Sequence, residues 1–120
     1  MTTLPRILIV DESAESRDVL RTLLERHGAT TLEARRPDQA VAIADRFHPH
    51  LIVLDAESDR SAAGAATHEL RQAAGRTDTP IVILGTMGHS RGQLSTGQFL
   101  PKPYHYAQLI RKIENLLAAA

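Results

Sequence analysis

Three short, uninterrupted apolar runs constrain the fold of this chain more than any other feature of its sequence. They cover residues 7–10, 51–54 and 81–84, and they consist of Ile, Leu and Val alone. Because apolar and polar residues do not alternate within them, each run suits a strand that is buried on both faces, as in a parallel sheet covered by helices. The chain is therefore predicted to fold as an α/β protein.

Strand and helix patterns alternate along the whole chain. Strands are predicted at residues 6–10, 29–34, 51–54, 81–84 and 98–100, and helices at 14–27, 37–48, 62–74 and 104–118. Residues 85–97 are rich in Gly, Ser and Thr, so a short or irregular helix is expected there. Because crossovers between parallel strands are right-handed, this order predicts a doubly wound three-layer α/β/α sandwich. A length of 120 residues suits one domain, expected to span residues 1–120.

Composition narrows the classes of partner and environment. Acidic and basic residues balance at 14 each without a basic run, which disfavours direct nucleic-acid binding. The absence of cysteine excludes disulfides and thiolate metal sites. No signal-like start or membrane-length apolar run is present, so we expect a cytoplasmic protein without membrane contact. The sequence stops soon after the last predicted helix, so output is expected through a protein target in trans, unless the chain is part of a longer protein.

Acidic residues follow two of the apolar runs directly. Asp11 and Glu12 follow the first run, and Asp55 follows the second. The carboxyl ends of parallel strands line the crevice in which open α/β sheets bind ligands. Carboxylates repel there by roughly 4 kcal/mol at 4 Å and intermediate dielectric, and a hard cation such as Mg²⁺ can neutralise them. The metal could then hold a phosphoryl donor against one carboxylate, which would become an acyl phosphate. Acids that merely solvate the sheet edge are the alternative, which suits one Asp better than three.

A single lysine supplies positive charge after the fifth predicted strand. Lys102 stands between Pro101 and Pro103, whose rings restrict the local backbone and hence the direction of the side chain. Its ammonium group would pair with Asp55 or with a phosphoryl oxygen attached to it. Alternatively, the lysine is an ordinary solvated surface charge.

Taken together, these motifs resemble the receiver domains of response regulators in two-component signalling, over essentially the whole chain. Asp11 and Glu12 match the acidic pair of that family, and Asp55 matches its phosphoacceptor. Lys102-Pro103 matches the Lys-Pro pair after strand five, and Phe99 falls at the aromatic switch position.

This resemblance implies a flavodoxin-like fold with strand order 2-1-3-4-5 and a cis Lys102–Pro103 peptide. It also implies phosphotransfer to Asp55 from a sensor histidine kinase or a phosphotransfer protein, with Asp11, Glu12 and Asp55 holding Mg²⁺. Output would pass through the fourth and fifth helices of the family fold. No enzymatic activity is expected beyond self-catalysed phosphotransfer and dephosphorylation.

The sequence departs from the family pattern at several positions. Gly85 stands where the family has Thr or Ser, and the hydroxyl comes one residue later, at Thr86. A shift of one residue reverses the face to which a strand side chain points, so Thr86 would have to reach the site from a loop. Asp59 replaces the usual proline after the phosphoacceptor, and Glu12 is one methylene longer than the usual aspartate.

Two other functions remain open at this point. A degenerate receiver would act as a phosphorylation-independent interaction module, its switch lost with the Gly85 shift. A small Mg²⁺-dependent phosphohydrolase would need a second acid, for which Glu57 is the candidate. Tyr104 and Tyr106 are interpreted as packing or rim residues, and the six histidines as surface or helix-end residues.

Overall fold

The apolar runs form the inner strands of a parallel sheet. The computed structural model describes residues 4–86 and 99–119. The elements are β1 (Arg6–Val10), α1 (Ala14–Arg26), β2 (Thr30–Ala34), α2 (Pro37–Phe47), β3 (Leu51–Asp55), α3 (Ala65–Arg76), β4 (Ile81–Gly85), β5 (Phe99–Pro101) and α4 (Tyr106–Ala119). Two short 3-10 turns, Ala56–Ser58 and Ala62–Gly64, lie between β3 and α3.

The strand order confirms the predicted topology. The sheet has the order β2-β1-β3-β4-β5, and every neighbouring pair is parallel. The chain passes from β1 to β2 on one side and then crosses back to β3 on the other side of β1. Open α/β sheets bind ligands at the carboxyl ends of the strands where the direction reverses in this way.

Successive residues of the inner strands point to opposite faces of the sheet and pack into two separate hydrophobic cores. Ile7 and Ile9 pack with Leu20 and Leu109, from α1 and α4, on one face of the sheet. Leu8, Val10, Ile52 and Leu54 pack on the other face, with Ala40 of α2 and Leu70 of α3. Burial on both faces explains why these strands are apolar throughout. The three-layer α/β/α sandwich is confirmed.

The first helix begins and ends where its sequence signals lie. The Ser13 hydroxyl oxygen caps α1 by accepting a hydrogen bond from the Ser16 N–H at 3.2 Å. Gly28 follows the helix with a φ of 89°, a left-handed conformation that suits glycine.

The start of α3 differs from the sequence prediction, which placed it at residue 62. Ala63 and Gly64 have positive φ values of 52° and 70°, so the helix begins at Ala65. Its first turn is capped from the preceding loop, because Asp59 Oδ2 accepts hydrogen bonds from the Thr67 N–H at 2.9 Å and its hydroxyl at 2.6 Å. The helix also continues through Gly75 to Arg76. The cap comes from a loop residue eight positions before Thr67, which helical periodicity does not encode.

The C-terminal elements deviate less. The strand predicted at 98–100 is described over Phe99–Pro101, and the last helix begins at Tyr106 rather than at 104. Beyond Thr86, the short or irregular helix expected within 85–97 lies outside the described residues. Within the described ranges, no helix combines the length and apolarity needed to cross a bilayer.

Two glycines provide a matched test of the backbone description. A methyl group added at Gly28 or at Gly75 meets no neighbouring atom within 4 Å, but only Gly28 has a positive φ. We expect Gly28→Ala to lower the free energy of unfolding by about 1–2 kcal/mol, because an L-residue is strained in the left-handed region. Gly75→Ala should raise it by about 0.5–1 kcal/mol through helix propensity. Urea denaturation measures both changes, and shifts of the same sign would contradict the assignment.

Candidate functional site

A cavity opens at the carboxyl ends of the inner strands. Its volume is about 290 Å³, and Asp11, Asp55 and Lys102 line it together with Leu84 and residues of α1. Val10 of β1 lies opposite Leu54 of β3, so the next residue of each strand reaches the same edge. The structure thus brings three of the predicted site residues together.

Lys102 is paired with Asp55. Its Nζ lies 2.9 Å from Asp55 Oδ1, and the Asp55 side chain is only 12% exposed. The same oxygen accepts a hydrogen bond from the Glu57 N–H at 3.1 Å. The Lys102 N–H donates to the Gly85 carbonyl at 2.9 Å, which ties the end of β5 to β4. The Lys102–Pro103 peptide is cis, as predicted.

Asp11 is the most buried acid of the site. It is 5% exposed, and its Oδ1 accepts a hydrogen bond from the Ser13 N–H at 2.9 Å. Burial, followed by repulsion from Asp55, raises the pKa of Asp11, although the Ser13 bond, Lys102 and Arg17 oppose the rise. Two carboxylates facing one ammonium leave the cavity with excess negative charge.

Glu12 is directed away from that cavity. Its N–H donates to the hydroxyl of buried Ser58 at 2.8 Å. Its carboxylate is held by Arg60, whose Nε lies 3.0 Å from both oxygens and whose Nη2 lies 2.7 Å from Oε1. The hydrogen bond from Arg60 lowers the pKa of Glu12. In the part of the chain that the structure describes, no three acidic or histidine side chains converge as a metal-binding group.

The donor set nevertheless fits a magnesium ion. Mg²⁺ is commonly bound through one or two carboxylates together with water and substrate phosphate oxygens. Asp11 and Asp55 supply two carboxylates on one cavity, and Lys102 is the cationic side chain among the residues that line it. Participation of Glu12 would require release from Arg60. Its role as a ligand stays a prediction.

Thr86 and Phe99 lie outside the cavity lining. Thr86 is exposed and directly follows Gly85, the last residue of β4. Phe99 opens β5 opposite Ile83, is half-buried, and packs against the core that α2 and α3 cover. A phosphoryl-binding role for Thr86 and a switch role for Phe99 stay predictions.

Sequence reasoning assigned Tyr104 and Tyr106 only to packing or rim positions, and it did not single out Arg60. Tyr104 and Tyr106 line the cavity, with their rings edge-to-face at 6.1 Å. Burial, then Tyr106, Asp11 and Asp55, raises the pKa of Tyr104 to about 12, so its hydroxyl remains protonated at neutral pH. The position of Tyr104 two residues after Lys102 was a usable signal. Arg60 offered none, because its partner Glu12 is 48 residues away.

The raised pKa of Asp11 has a consequence for stability. A folded-state pKa above the ordinary value of 3.8 means that ionisation opposes folding as the pH rises through the folded-state pKa. We expect Asp11→Asn to raise the free energy of unfolding at pH 7 by about 0.5–2 kcal/mol, as when a strained active-site charge is relieved. The gain should vanish below pH 3.8, where wild-type Asp11 is protonated in both states. Urea denaturation in chelator-containing buffer measures it.

Asp59 provides the control of opposite sign. Burial raises its pKa, but hydrogen bonds from Ser61 and Thr67 outweigh burial, so the net shift is downward from 3.8. Its stabilisation is present above that value and is lost as the pH falls through the folded-state pKa. Asp59→Asn should cost about 1–2 kcal/mol at pH 7, because an amide cannot accept on both sides. The two variants shifting stability in the same direction at pH 7 would refute this electrostatic account.

Comparison with known proteins identifies the family of the chain. The family model described as the response regulator receiver domain matches residues 7–114. Protein PilH of Pseudomonas aeruginosa is 28% identical over 118 residues, which cover 94% of this chain and 98% of PilH. The transcriptional regulatory protein CpxR of Klebsiella pneumoniae is 29% identical over 117 residues, 93% of this chain and 49% of CpxR. The chain likewise covers 48% of the probable transcriptional regulator ycf27 of Porphyridium aerugineum, so it spans about half the length of several curated relatives.

Solved structures agree with the fold. A response regulator receiver modulated diguanylate cyclase from Pelobacter carbinolicus superposes with a TM-score of 0.78 at 26% identity, covering 97% of this chain and 94% of that one. The receiver domain of a signal transduction histidine kinase from Syntrophus aciditrophicus gives 0.83 at 23% identity, covering 97% and 92%, and supports the fold alone. With the family model matching residues 7–114 and the acid–lysine site in place, the chain belongs to the response regulator receiver domain family.

Proposed function

We propose that this receiver domain accepts a phosphoryl group on Asp55, in a Mg²⁺-dependent reaction, from a sensor histidine kinase or a phosphotransfer protein. The observation that carries the proposal is the mostly buried Asp55 carboxylate, held 2.9 Å from Lys102 on a cavity that it shares with Asp11. A carboxylate nucleophile beside a fixed cation and a second acid suits phosphoryl transfer.

The contacts of Asp55 indicate which oxygen reacts. Within the described ranges, the hydrogen bonds from Lys102 and from the Glu57 N–H both fall on Oδ1, so Oδ2 is the nucleophile in our proposal. An Oδ2–P bond forms as the N–P bond of the phosphohistidine donor breaks, and the electron pair leaves on the imidazole nitrogen. The product is an acyl phosphate on Asp55.

Charge compensation is the main task of the surrounding residues. An aspartyl phosphate carries more negative charge than the carboxylate it replaces, and Asp11 adds a further carboxylate. Lys102 can stay close and pair with a phosphoryl oxygen. Bound Mg²⁺, held by Asp11 and Asp55, would supply the remaining positive charge.

Two observations favour a second candidate, the phosphorylation-independent interaction module. Thr86 is exposed outside the cavity lining, and Glu12 is paired with Arg60 rather than turned toward Asp55. Such a domain would keep the receiver fold and bind partners without a phosphorylation switch. A phosphohydrolase role would depend on Glu57, whose carboxylate lies 3.9 Å from Lys102 and is exposed. We propose no enzymatic turnover beyond self-catalysed phosphotransfer and dephosphorylation.

We also propose a cytoplasmic location and a downstream protein target for this receiver domain. The sensor kinase or phosphotransfer protein would approach the edge of the sheet at which Asp55 lies.

Incubation with acetyl phosphate and Mg²⁺ tests the phosphoacceptor. We expect intact-mass spectrometry to show one added phosphoryl group, and Asp55→Asn or a chelator to abolish it. Lys102→Ala should slow modification about tenfold or more, because a fixed cation at the reacting oxygens is removed. Lys112→Ala, on α4 outside the cavity lining, is the charge-matched control and should leave the rate unchanged. Modification of Asp55→Asn at the wild-type rate would refute the assignment.

Beryllofluoride separates the switch from the constitutive module. If phosphorylation is coupled to output, the adduct should shift the NMR resonances of residues 99–106. An adduct without any such shift favours the constitutive module. Rapid turnover of the phosphodonor that Glu57→Gln abolishes would instead indicate a hydrolase.

A further inference from the structure

Glu12 and Arg60 form a bidentate ion pair at this edge of the sheet. Arg60 Nε lies 3.0 Å from both carboxylate oxygens of Glu12, and Nη2 lies 2.7 Å from Oε1, so the guanidinium contacts both oxygens. The contact joins the loop after β1, which begins with Asp11, to the loop after β3, which follows Asp55.

The two residues that precede Arg60 are each held by hydrogen bonds. Ser58 is buried, and its hydroxyl accepts the hydrogen bond from the Glu12 N–H. Asp59 is fixed to the start of α3 by its bonds from Thr67. The Arg60 side chain is 70% exposed, but these hydrogen bonds hold its backbone beside Glu12.

The two acids after β1 therefore stand in opposite electrostatic surroundings. The pKa of Asp11 is raised, chiefly by burial, whereas the pKa of Glu12 is lowered, first by the Arg60 hydrogen bond and then by charges that include Arg35 and Arg36. Glu12 thus has a cation supplied by the chain itself. A divalent ion that uses this carboxylate must displace that cation.

We propose that Arg60 competes with the divalent cation for Glu12 and so sets the metal affinity of the site. With Arg60 bound, the ion has only Asp11 and Asp55 as carboxylate ligands. With Arg60 released, Glu12 is free to take part directly or through water. The inference rests on the magnesium site of the proposed function.

Calorimetric titration with MgCl₂ tests the competition without any phosphorylation readout. Because exposed ion pairs are weak, we expect Arg60→Ala to tighten Mg²⁺ binding by about two- to fivefold. Arg60→Lys keeps the positive charge but loses the bidentate hydrogen bonding of the guanidinium group. Its Mg²⁺ affinity should therefore lie between those of Arg60→Ala and the wild type. In a Glu12→Gln background, Arg60→Ala should have no effect, because the competed ligand is gone.

Arg36→Ala is the matched control. Arg36 is exposed near Glu12 but pairs with Asp38 at 3.5 Å, so its removal deletes the same charge without freeing the Glu12 carboxylate. It should change Mg²⁺ affinity by less than Arg60→Ala does. An equal effect would show that Mg²⁺ affinity responds to the total positive charge near the site rather than to competition for Glu12. That result would overturn the inference.

The remaining outcomes separate the inference from the proposed function. Wild-type binding of Mg²⁺ with unchanged or weaker binding by Arg60→Ala overturns the competition and leaves the magnesium site standing. Tightening that persists with Glu12→Gln also overturns it. If neither the wild type nor any variant binds Mg²⁺, the metal dependence in the proposed function fails together with the inference. Thermal unfolding with chelator verifies that each variant is folded.

Discussion

The ion pair between Lys102 and Asp55 is the interaction on which the rest of the site depends. Asp11 is buried, Asp55 is mostly buried, and both line one small cavity. Two carboxylates in such a place repel each other, and each loses favourable hydration. Lys102, 2.9 Å from Asp55, offsets one of these charges but not both. The remaining negative charge suits the cavity to a divalent cation.

The cost of this arrangement is local, while the stability that supports it comes from the sheet. The inner strands are buried on both faces and pack into two cores, one with α1 and α4 and the other with α2 and α3. Such a scaffold holds acidic side chains at its edge without relaxing to separate them. A functional site can then retain unfavourable charge that the remainder of the domain outweighs.

The loop between β3 and α3 connects the site to the helical layer. Ser58 binds the backbone of Glu12, Arg60 binds its carboxylate, and Asp59 caps α3. Asp59 occupies the place of a proline in the family pattern, and its carboxylate organises the loop by accepting hydrogen bonds. Changes at this loop therefore bear on the start of α3 and, in our proposal, on metal affinity as well.

The sequence alone determined the two-sided burial of the inner strands and the meeting of Asp11, Asp55 and Lys102, because apolar runs and strand-end positions encode these directly. The strand order followed only from the resemblance to the receiver family. The sequence did not determine that Glu12 would turn to Arg60. Nor did it place the start of α3 at Ala65 or bring Tyr104 into the cavity lining. Glu12 and Arg60 are 48 residues apart, and only the packed tertiary structure decides which of several nearby charges and hydrogen-bond donors such a side chain meets.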